Sequence, residues 1–362
     1  MAQAGQPQLL KQYNTSLIQK MILEKGPITK PELAHLTSLS LPTVNKIVDE
    51  LVSEKFAVED AFQTGTGAGR KAKTYVVNGK YGTFLAVYYQ NGRWTGCTVN
   101  ILGEVLVRME CNAFSDTHGE QIQILLNFLK ELKDSSVRVK AIGIGIPGIV
   151  TNSDEIEGIP SLPELEGVNL KNILEERFEL PVFIENDVKL MTVGYHSLKM
   201  NNLENIVFLY IGSGIGAGVM INGQLYKGNT SFAGEFGYMP ALSEETDTPG
   251  KMGGSLELRV AALKKEQMEH PNLSGYREAL SKEVARALVG CVAVINPEAV
   301  VLYCDDLDKE ALAILKKELE RYLPKNCIPQ LCLTSNKNYG MSGLIHLCQD
   351  GINKKNWVFD TL

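Results

Sequence analysis

No apolar run in this chain is long enough to span a bilayer. The longest, residues 141–150 and 287–295, fall well short of the roughly 18 that a membrane helix needs. The opening residues 1–8 are polar and lack the hydrophobic region of a signal peptide, so a cytoplasmic location with no membrane partner is expected. Cysteine is sparse. The seven Cys, at 97, 111, 291, 304, 327, 332 and 348, are odd in number and contain no C-x-x-C pair, which argues against a disulfide framework. Low-complexity tracts and short-period repeats are missing too. Aromatics make up 7%, charged residues 22% and hydrophobic residues 44%, the values of an ordinary globular protein. The 362 residues suffice for two or three domains with sizeable cores.

A net charge of −6 speaks against a nucleic-acid binder when the chain is taken whole. The average hides an asymmetry. Residues 1–80 hold ten Lys and Arg against seven Asp and Glu, so a basic head precedes an acidic body.

The head reads as three helices and a hairpin. Leu17, Ile18, Met21 and Ile22 recur at helical spacing until Gly26-Pro27 ends the run. Thr29 and Glu32 have capping-box spacing and open a short helix through Leu36. A third helix follows Ser40 as N-cap, with Val44, Ile47, Val48, Leu51 and Val52 on one stripe and Thr43, Asn45, Lys46, Asp49 and Glu50 outside. Next comes a hairpin of strands at 56–59 and 73–77, joined by a glycine-rich tip bearing Arg70 and Lys71. This is the pattern of a winged helix-turn-helix over residues 1–78. Such a unit puts Ser40, Thr43, Asn45 and Lys46 toward the major groove of double-stranded DNA and Arg70 and Lys71 toward a minor groove or phosphates. An ordinary trihelical bundle with a solvated face is the alternative.

From residue 79 the pattern turns α/β. Strands are expected at 83–89, 96–100, 105–110, 139–146, 182–185, 206–211, 218–221 and 299–303, with helices at 118–134, 170–178, 187–196, 256–267, 279–295 and 307–322. Residues 243–254 read as a loop. Glu185-Asn186-Asp187 falls where a strand gives way to a helix, a usual place for sites in α/β proteins. The turn Gly212-Ser213-Gly214-Ile215-Gly216 is either a backbone nest for phosphate or a tight hairpin, and it lacks the Lys-Ser/Thr end of a Walker A motif.

Taken in order, Gly143-Ile144-Gly145-Ile146-Pro147-Gly148, Glu185-Asn186-Asp187, the 212–216 turn, Ala233-Gly234-Glu235-Phe236-Gly237 and Asn296-Pro297-Glu298 resemble the ROK family of repressors, open reading frames and sugar kinases. The resemblance covers nearly the whole chain, and the winged helix in front is similar to the family's repressor branch. It implies an actin-like and hexokinase-like two-lobed effector domain over 79–362, with a sugar in a cleft near 185–260. Asn186 and Asp187 match the family's sugar-binding Asn and catalytic-base Asp; Glu235 and Glu257 match its sugar-binding glutamates. Ser161 stands where the family usually has a sugar-contacting Asn.

The departures from the family pattern bear on activity. Where its kinases carry D-x-G-x-T, this chain has Tyr88-Tyr89-Gln90-Asn91-Gly92, and the Gly-Gly that admits adenine is Tyr303-Cys304. The family's zinc ligands, a His and three Cys, are matched by Tyr238, Thr248, Gly250 and Ser255, none of which supplies the imidazole or thiolate that zinc favours. In the family that His also holds the sugar, which makes Tyr238 part of the expected ligand site. The expectation is therefore a sugar-responsive DNA-binding regulator, a repressor, with no catalytic residue, metal or cofactor. It acts as a homodimer or tetramer on an inverted-repeat operator. The alternatives are a bifunctional ATP-dependent sugar kinase that also binds DNA, and a scaffold with a vestigial site.

Overall fold

A computed structural model of the chain describes residues 6–60, 73–114, 120–198, 203–240, 254–270 and 275–355. Helix α1 (Gln6–Lys25) buries Ile18 and Ile22. After the two-residue strand β1 (Ile28–Thr29), α2 (Lys30–Thr37) begins with the capping box that the spacing predicts. The Thr29 hydroxyl accepts the Glu32 N–H at 3.3 Å, and the Glu32 carboxylate accepts the Thr29 N–H at 2.8 Å. That backbone hydrogen bond, with one from the Thr29 hydroxyl, holds the Glu32 carboxyl below its usual range.

Helix α3 (Leu41–Ser53) buries Val44, Ile47, Val48 and Leu51, and Ser40 caps it. Lys30 pairs with Asp49 at 2.6 Å and Lys11 with Glu50 at 2.9 Å, so part of the outward face of α3 is used to tie the other two helices to it. Strands β2 (Ala57–Glu59) and β3 (Thr74–Val77) complete the wing, with β3 between β1 and β2 in an antiparallel sheet. The hairpin tip with Arg70 and Lys71 lies outside the described residues, as does most of the expected loop at 243–254.

The first lobe holds β4 (Thr83–Gln90), β5 (Arg93–Asn100), β6 (Val105–Asn112), α4 (Gln121–Asp134), β7 (Val139–Ile146), the small pair β8 (Ile149–Val150) and β9 (Ile156–Glu157), α5 (Leu170–Phe178) and β10 (Val182–Asn186). Helix α6 (Asp187–Leu198) then leads to the second lobe. That lobe holds β11 (Ile206–Ile211), β12 (Ile215–Ile221), β13 (Gln224–Tyr226), α7 (Ser255–Glu269), α8 (Tyr276–Ile295), β14 (Ala299–Tyr303), α9 (Lys309–Leu319) and β15 (Gln330–Thr334), and α10 (Tyr339–Lys355) follows it. The sheet orders are β10-β7-β4-β5-β6 and β13-β12-β11-β14-β15. Both share one connectivity: three antiparallel strands joined by hairpins, then two parallel strands added beside the first. Separate cores fill them. One gathers Leu85, Ile144 and Leu174 and the other Leu209, Leu288 and Leu302.

Helix α10 returns to the first lobe, where Leu344 and Cys348 pack with Phe84, Ala86 and Leu190. Its crossing with α6 is set by glycine on both sides. A methyl group on Gly194 would strike the Tyr339 carbonyl, and one on Gly343 the Leu190 carbonyl. Neither obstacle is a side chain that can swing away. Gly343→Ala should therefore destabilise the protein by about 1–3 kcal/mol, the usual cost of overpacking, read as a lower urea midpoint. An unchanged midpoint would mean that the helix pair can separate at no cost. Among the described residues, no helix is long and apolar enough to cross a membrane.

Candidate functional site

Strand β10 ends at Asn186 and α6 begins at Asp187, so the Glu185-Asn186-Asp187 triplet stands at the carboxyl end of a strand parallel to β7. The Asn186 carboxamide already has two duties. Its oxygen accepts the Lys189 N–H at 3.0 Å, closing the first turn of α6, and its nitrogen donates to the Gly148 carbonyl at 2.8 Å. One lone pair and one N–H remain for a ligand. The Asp187 carboxylate accepts the Val188 N–H at 2.8 Å. Burial pushes its carboxyl up to about 7 against the pull of that N–H, and the charge of Glu235 pushes in the same direction as burial.

Glu235 comes from the second lobe, on the loop after β13. The preceding Gly234 has φ of 96°, and its carbonyl accepts the Ala217 N–H at 2.6 Å. A side chain there would collide with the Ala217 carbonyl, so glycine is what lets the loop lie against β12 and present Glu235. Burial raises the Glu235 carboxyl; the Lys189 ammonium opposes that rise and the Glu257 carboxylate adds to it. Glu257 lies in the first turn of α7, its carboxylate fitted between Gly214 and Gly237. Burial raises it as well, offset by a hydrogen bond from the Ile215 backbone. The structure thus brings Asn186, Asp187, Glu235 and Glu257 into one cluster of an amide and three carboxylates. Such a set accepts several hydroxyl hydrogens and donates one in return.

Ser161 is exposed, and its carbonyl accepts from the Tyr89 hydroxyl at 3.3 Å; no contact among the described residues joins its own hydroxyl to the four. Tyr238 is exposed in the turn Phe236–Tyr238, its ring 5.1 Å from that of Phe232. Residues missed at the sequence level are Phe232, Lys189, Lys227 and the partnership of Glu185 with Lys227 at 2.5 Å. Lysines two and forty residues beyond Asp187 read as solvated side chains, and nothing in their spacing marks them otherwise.

The 212–216 turn is the hairpin of the two readings left open. The Gly212 N–H donates to the Gly214 carbonyl at 2.9 Å, and Lys264 donates to the Gly212 carbonyl at 2.8 Å. Beside this turn lies a cavity of about 540 Å³ lined by Gln90, Asn91, Ser213, Lys264, Tyr303 and Asp306. Tyr303 is stacked on Tyr210 with ring centres 5.5 Å apart. Tyr88 fills the space between Gly145 and Gly340, and its hydroxyl is 3.5 Å from the Asp187 carbonyl. Burial, with Asp187 next in effect, raises the Tyr88 phenol well above its ordinary value, so it stays neutral. Among the described residues, no group of three or more His, Cys, Asp or Glu is placed to hold a metal, and Tyr238 and Ser255 offer only a phenol and an alcohol where the resemblance sets zinc ligands.

In the head, the Ser40 hydroxyl is 2.8 Å from that of Thr43, so both take part in the α3 cap. Asn45 is half-buried and Lys46 exposed.

Two sheets of one connectivity, a carboxylate cluster drawn from both lobes and a helical head in front define a two-lobed α/β fold. The chain belongs to the ROK family, whose model matches residues 93–350. It is 31% identical over 235 residues to the xylose repressor of Bacillus subtilis (strain 168), covering 64% of this chain and 61% of that protein. It is 27% identical over 246 residues to the N-acetylglucosamine repressor of Escherichia coli O157:H7, covering 66% and 60%. The chain thus spans about 60% of the length of the curated relatives it matches. Among solved structures, a ROK family transcriptional regulator, a homolog of the E. coli MLC protein, superposes with a TM-score of 0.77 at 20% identity over 97% of this chain and 99% of that one. A ROK family glucokinase from Streptomyces griseus superposes with a TM-score of 0.58 at 18% identity over 74% and 99%. These two likenesses show the fold.

Proposed function

We propose that this protein is a sugar-responsive DNA-binding transcriptional regulator, a repressor, in which residues 1–78 bind an inverted-repeat operator and residues 79–362 sense a neutral sugar. The observation that carries the reading is a contrast within one cleft. Asn186, Asp187, Glu235 and Glu257 come together as a set suited to hydroxyls, while Tyr88 and Tyr303 stand where the resemblance sets the kinases' phosphate-handling carboxylate and the Gly-Gly that admits adenine. Phosphoryl transfer depends on positioning and on neutralising phosphate charge, and a neutral phenol at position 88 supplies neither. The relatives named as repressors support the regulatory reading over a kinase that also binds DNA. In this reading Ser161 and Tyr238 border the sugar, no metal or cofactor takes part, and a cytoplasmic homodimer or tetramer matches the symmetry of the operator.

The test is a thermal-shift screen of neutral sugars, because a ligand that binds only the native state must raise its melting temperature. At least one sugar should do so. Asp187→Ala and Glu235→Ala should each weaken that sugar by about tenfold or more, since hydrogen bonds to charged groups are worth roughly 1.5–3 kcal/mol. Wild-type affinity in both variants would move the sensor out of the cleft. Sugar phosphate formed from ATP by the wild type and lost in Asp187→Asn would establish the kinase instead.

A further inference from the structure

The two lobe sheets end in four edge strands, of which β6 is the longest, with eight residues against five in β10 and β15 and three in β13. Its inner side is used along its length, because Asn112 back to Val105 pair with Arg93 to Val99 of β5. Among the described residues, no strand pairs with its outer side. A bare edge of this length presents a row of free N–H and C=O groups, a template for another strand.

The side chains of β6 alternate. Val107, Met109 and Cys111 are half-buried, because α4 is seated over β5, where Phe128 and Leu132 press on Gly96. Met109 and Cys111 touch the first-lobe core only at its rim. Leu106, Arg108, Glu110 and Asn112 make the opposite face and are exposed. Arg108 has no ion pair among the described residues, and Glu110 has a loose one with Arg93 at 3.6 Å.

Charges often blunt an edge strand, so the signs and their spacing decide what this edge repels. Two copies of one strand related by a two-fold axis pair antiparallel with the axis on a residue, since opposed residues share a face and the faces alternate along the strand. An axis on Arg108 sets two cations against each other, and an axis on Glu110 sets two carboxylates. Only an axis on Met109 opposes Arg108 to Glu110 of the second copy, and it does so twice. Opposite charges directly across a ladder attract, and like charges repel. The same register covers the half-buried Met109 with its own copy and Val107 with Cys111. Ile101, just before β6, packs with Ile18 and Leu51 of the head, so this arrangement keeps the two heads at opposite ends of the joint ladder.

We propose that β6 is the dimer interface, pairing antiparallel with β6 of a second copy of this chain about a two-fold axis at Met109. The proposal rests on the homodimer of the proposed function and names its contact.

The test is sedimentation of the full chain. The wild type should run as a dimer, or as a tetramer made of two such dimers. Glu110→Arg and Arg108→Glu each set like charges opposite twice, so each should weaken the pairing by about tenfold or more and halve the assembly. An equimolar mixture of the two variants should recover the wild-type size, because one chain then offers two cations to the other's two carboxylates. The double variant Arg108→Glu/Glu110→Arg should recover it alone. Single variants that keep the wild-type size, or a mixture that stays dissociated, overturn the proposal. Should a reversal fail to fold, Met109→Cys decides. A cysteine on the axis stands opposite its own copy at a Cα spacing that a disulfide spans, so oxidised glutathione should link this variant into a dimer to a greater extent than wild type. No gain in linkage overturns the interface. A wild-type dimer indifferent to the charge reversals moves the contact off β6 and leaves the homodimer standing, whereas a monomeric wild type sinks both.

Discussion

Asp187→Asn should make the protein more stable at pH 8 than the wild type, by roughly 2–4 kcal/mol, and should lose that advantage near pH 4. The sign follows from the direction of the shift. The folded carboxyl is raised from 3.8 to about 7, so between those values the unfolded chain has given up a proton that the folded chain keeps. Stability from this group falls as pH rises through that window and stays low above it. Asp187 is only partly covered, so solvent screening reduces the effect. An amide of the same shape removes the ionisation from both states. Urea unfolding at pH 4, 6 and 8 reads the difference directly; equal stability of the two proteins at pH 8 would refute the idea that Asp187 is held at a cost. The same substitution removes a hydroxyl acceptor, so the gain in stability should come with weaker sugar binding. Such a trade is the ordinary mark of a site kept for function rather than for folding.

Operator binding should collapse with salt. A symmetric pair of winged helices making 6–10 phosphate contacts is expected to lose about 10³–10⁵ in affinity between 50 and 200 mM salt. Lys46 is exposed on α3 with no ion pair among the described residues, unlike Asp49 and Glu50 beside it. Lys46→Ala should lower the salt slope by about one if the ammonium meets a phosphate. Arg70→Ala, on the sequence reading of the wing, should cost on the order of 1–3 kcal/mol if the guanidinium enters a groove. Fluorescence anisotropy with a labelled inverted-repeat duplex gives both slope and affinity, and salt-independent binding would remove the DNA assignment.

The parts of this fold that sequence reveals best are its buried strands. The expected strands at 139–146, 206–211 and 299–303 coincide with β7, β11 and β14, because strands covered on both faces read as near-continuous apolar runs, interrupted in β7 only by the exposed Lys140 near its start. Strand β15 escaped because Gln330–Thr334 is a short edge strand with half-buried side chains and no clean alternation. Helix α10 escaped because Gly340, Gly343 and Gly351 look like breakers, whereas in the fold they are the places where Tyr88, Leu190 and Phe183 press against it. The shared connectivity of the two sheets left no repeat in the sequence. Backbone topology constrains only where apolar side chains fall, and many sequences satisfy that constraint. In the candidate cluster, Asn186, Asp187 and Glu235 lie in the ordered motifs, and Glu257 enters through the resemblance those motifs carry. Lys189 was not legible, because its partner is a backbone carbonyl 42 residues away, and any residue type supplies one.

Helix α10 has a mechanical consequence. Its first turn presses on Tyr88, whose hydroxyl reaches the first residue of α6, and Gln349 near its far end donates to the Ile101 carbonyl at 2.9 Å. Ile101 belongs to the same apolar cluster as Ile18, Ile22 and Leu51 of the winged helix. Gly343, at the crossing with α6, and Gln349 lie six residues apart, about 9 Å along the helix at 1.5 Å per residue. At the glycine-tight crossing the two helices meet through backbone, so no side chain there can give way. The helix thereby ties the start of α6, the sheet of the first lobe and the apolar cluster of the head into one connected body.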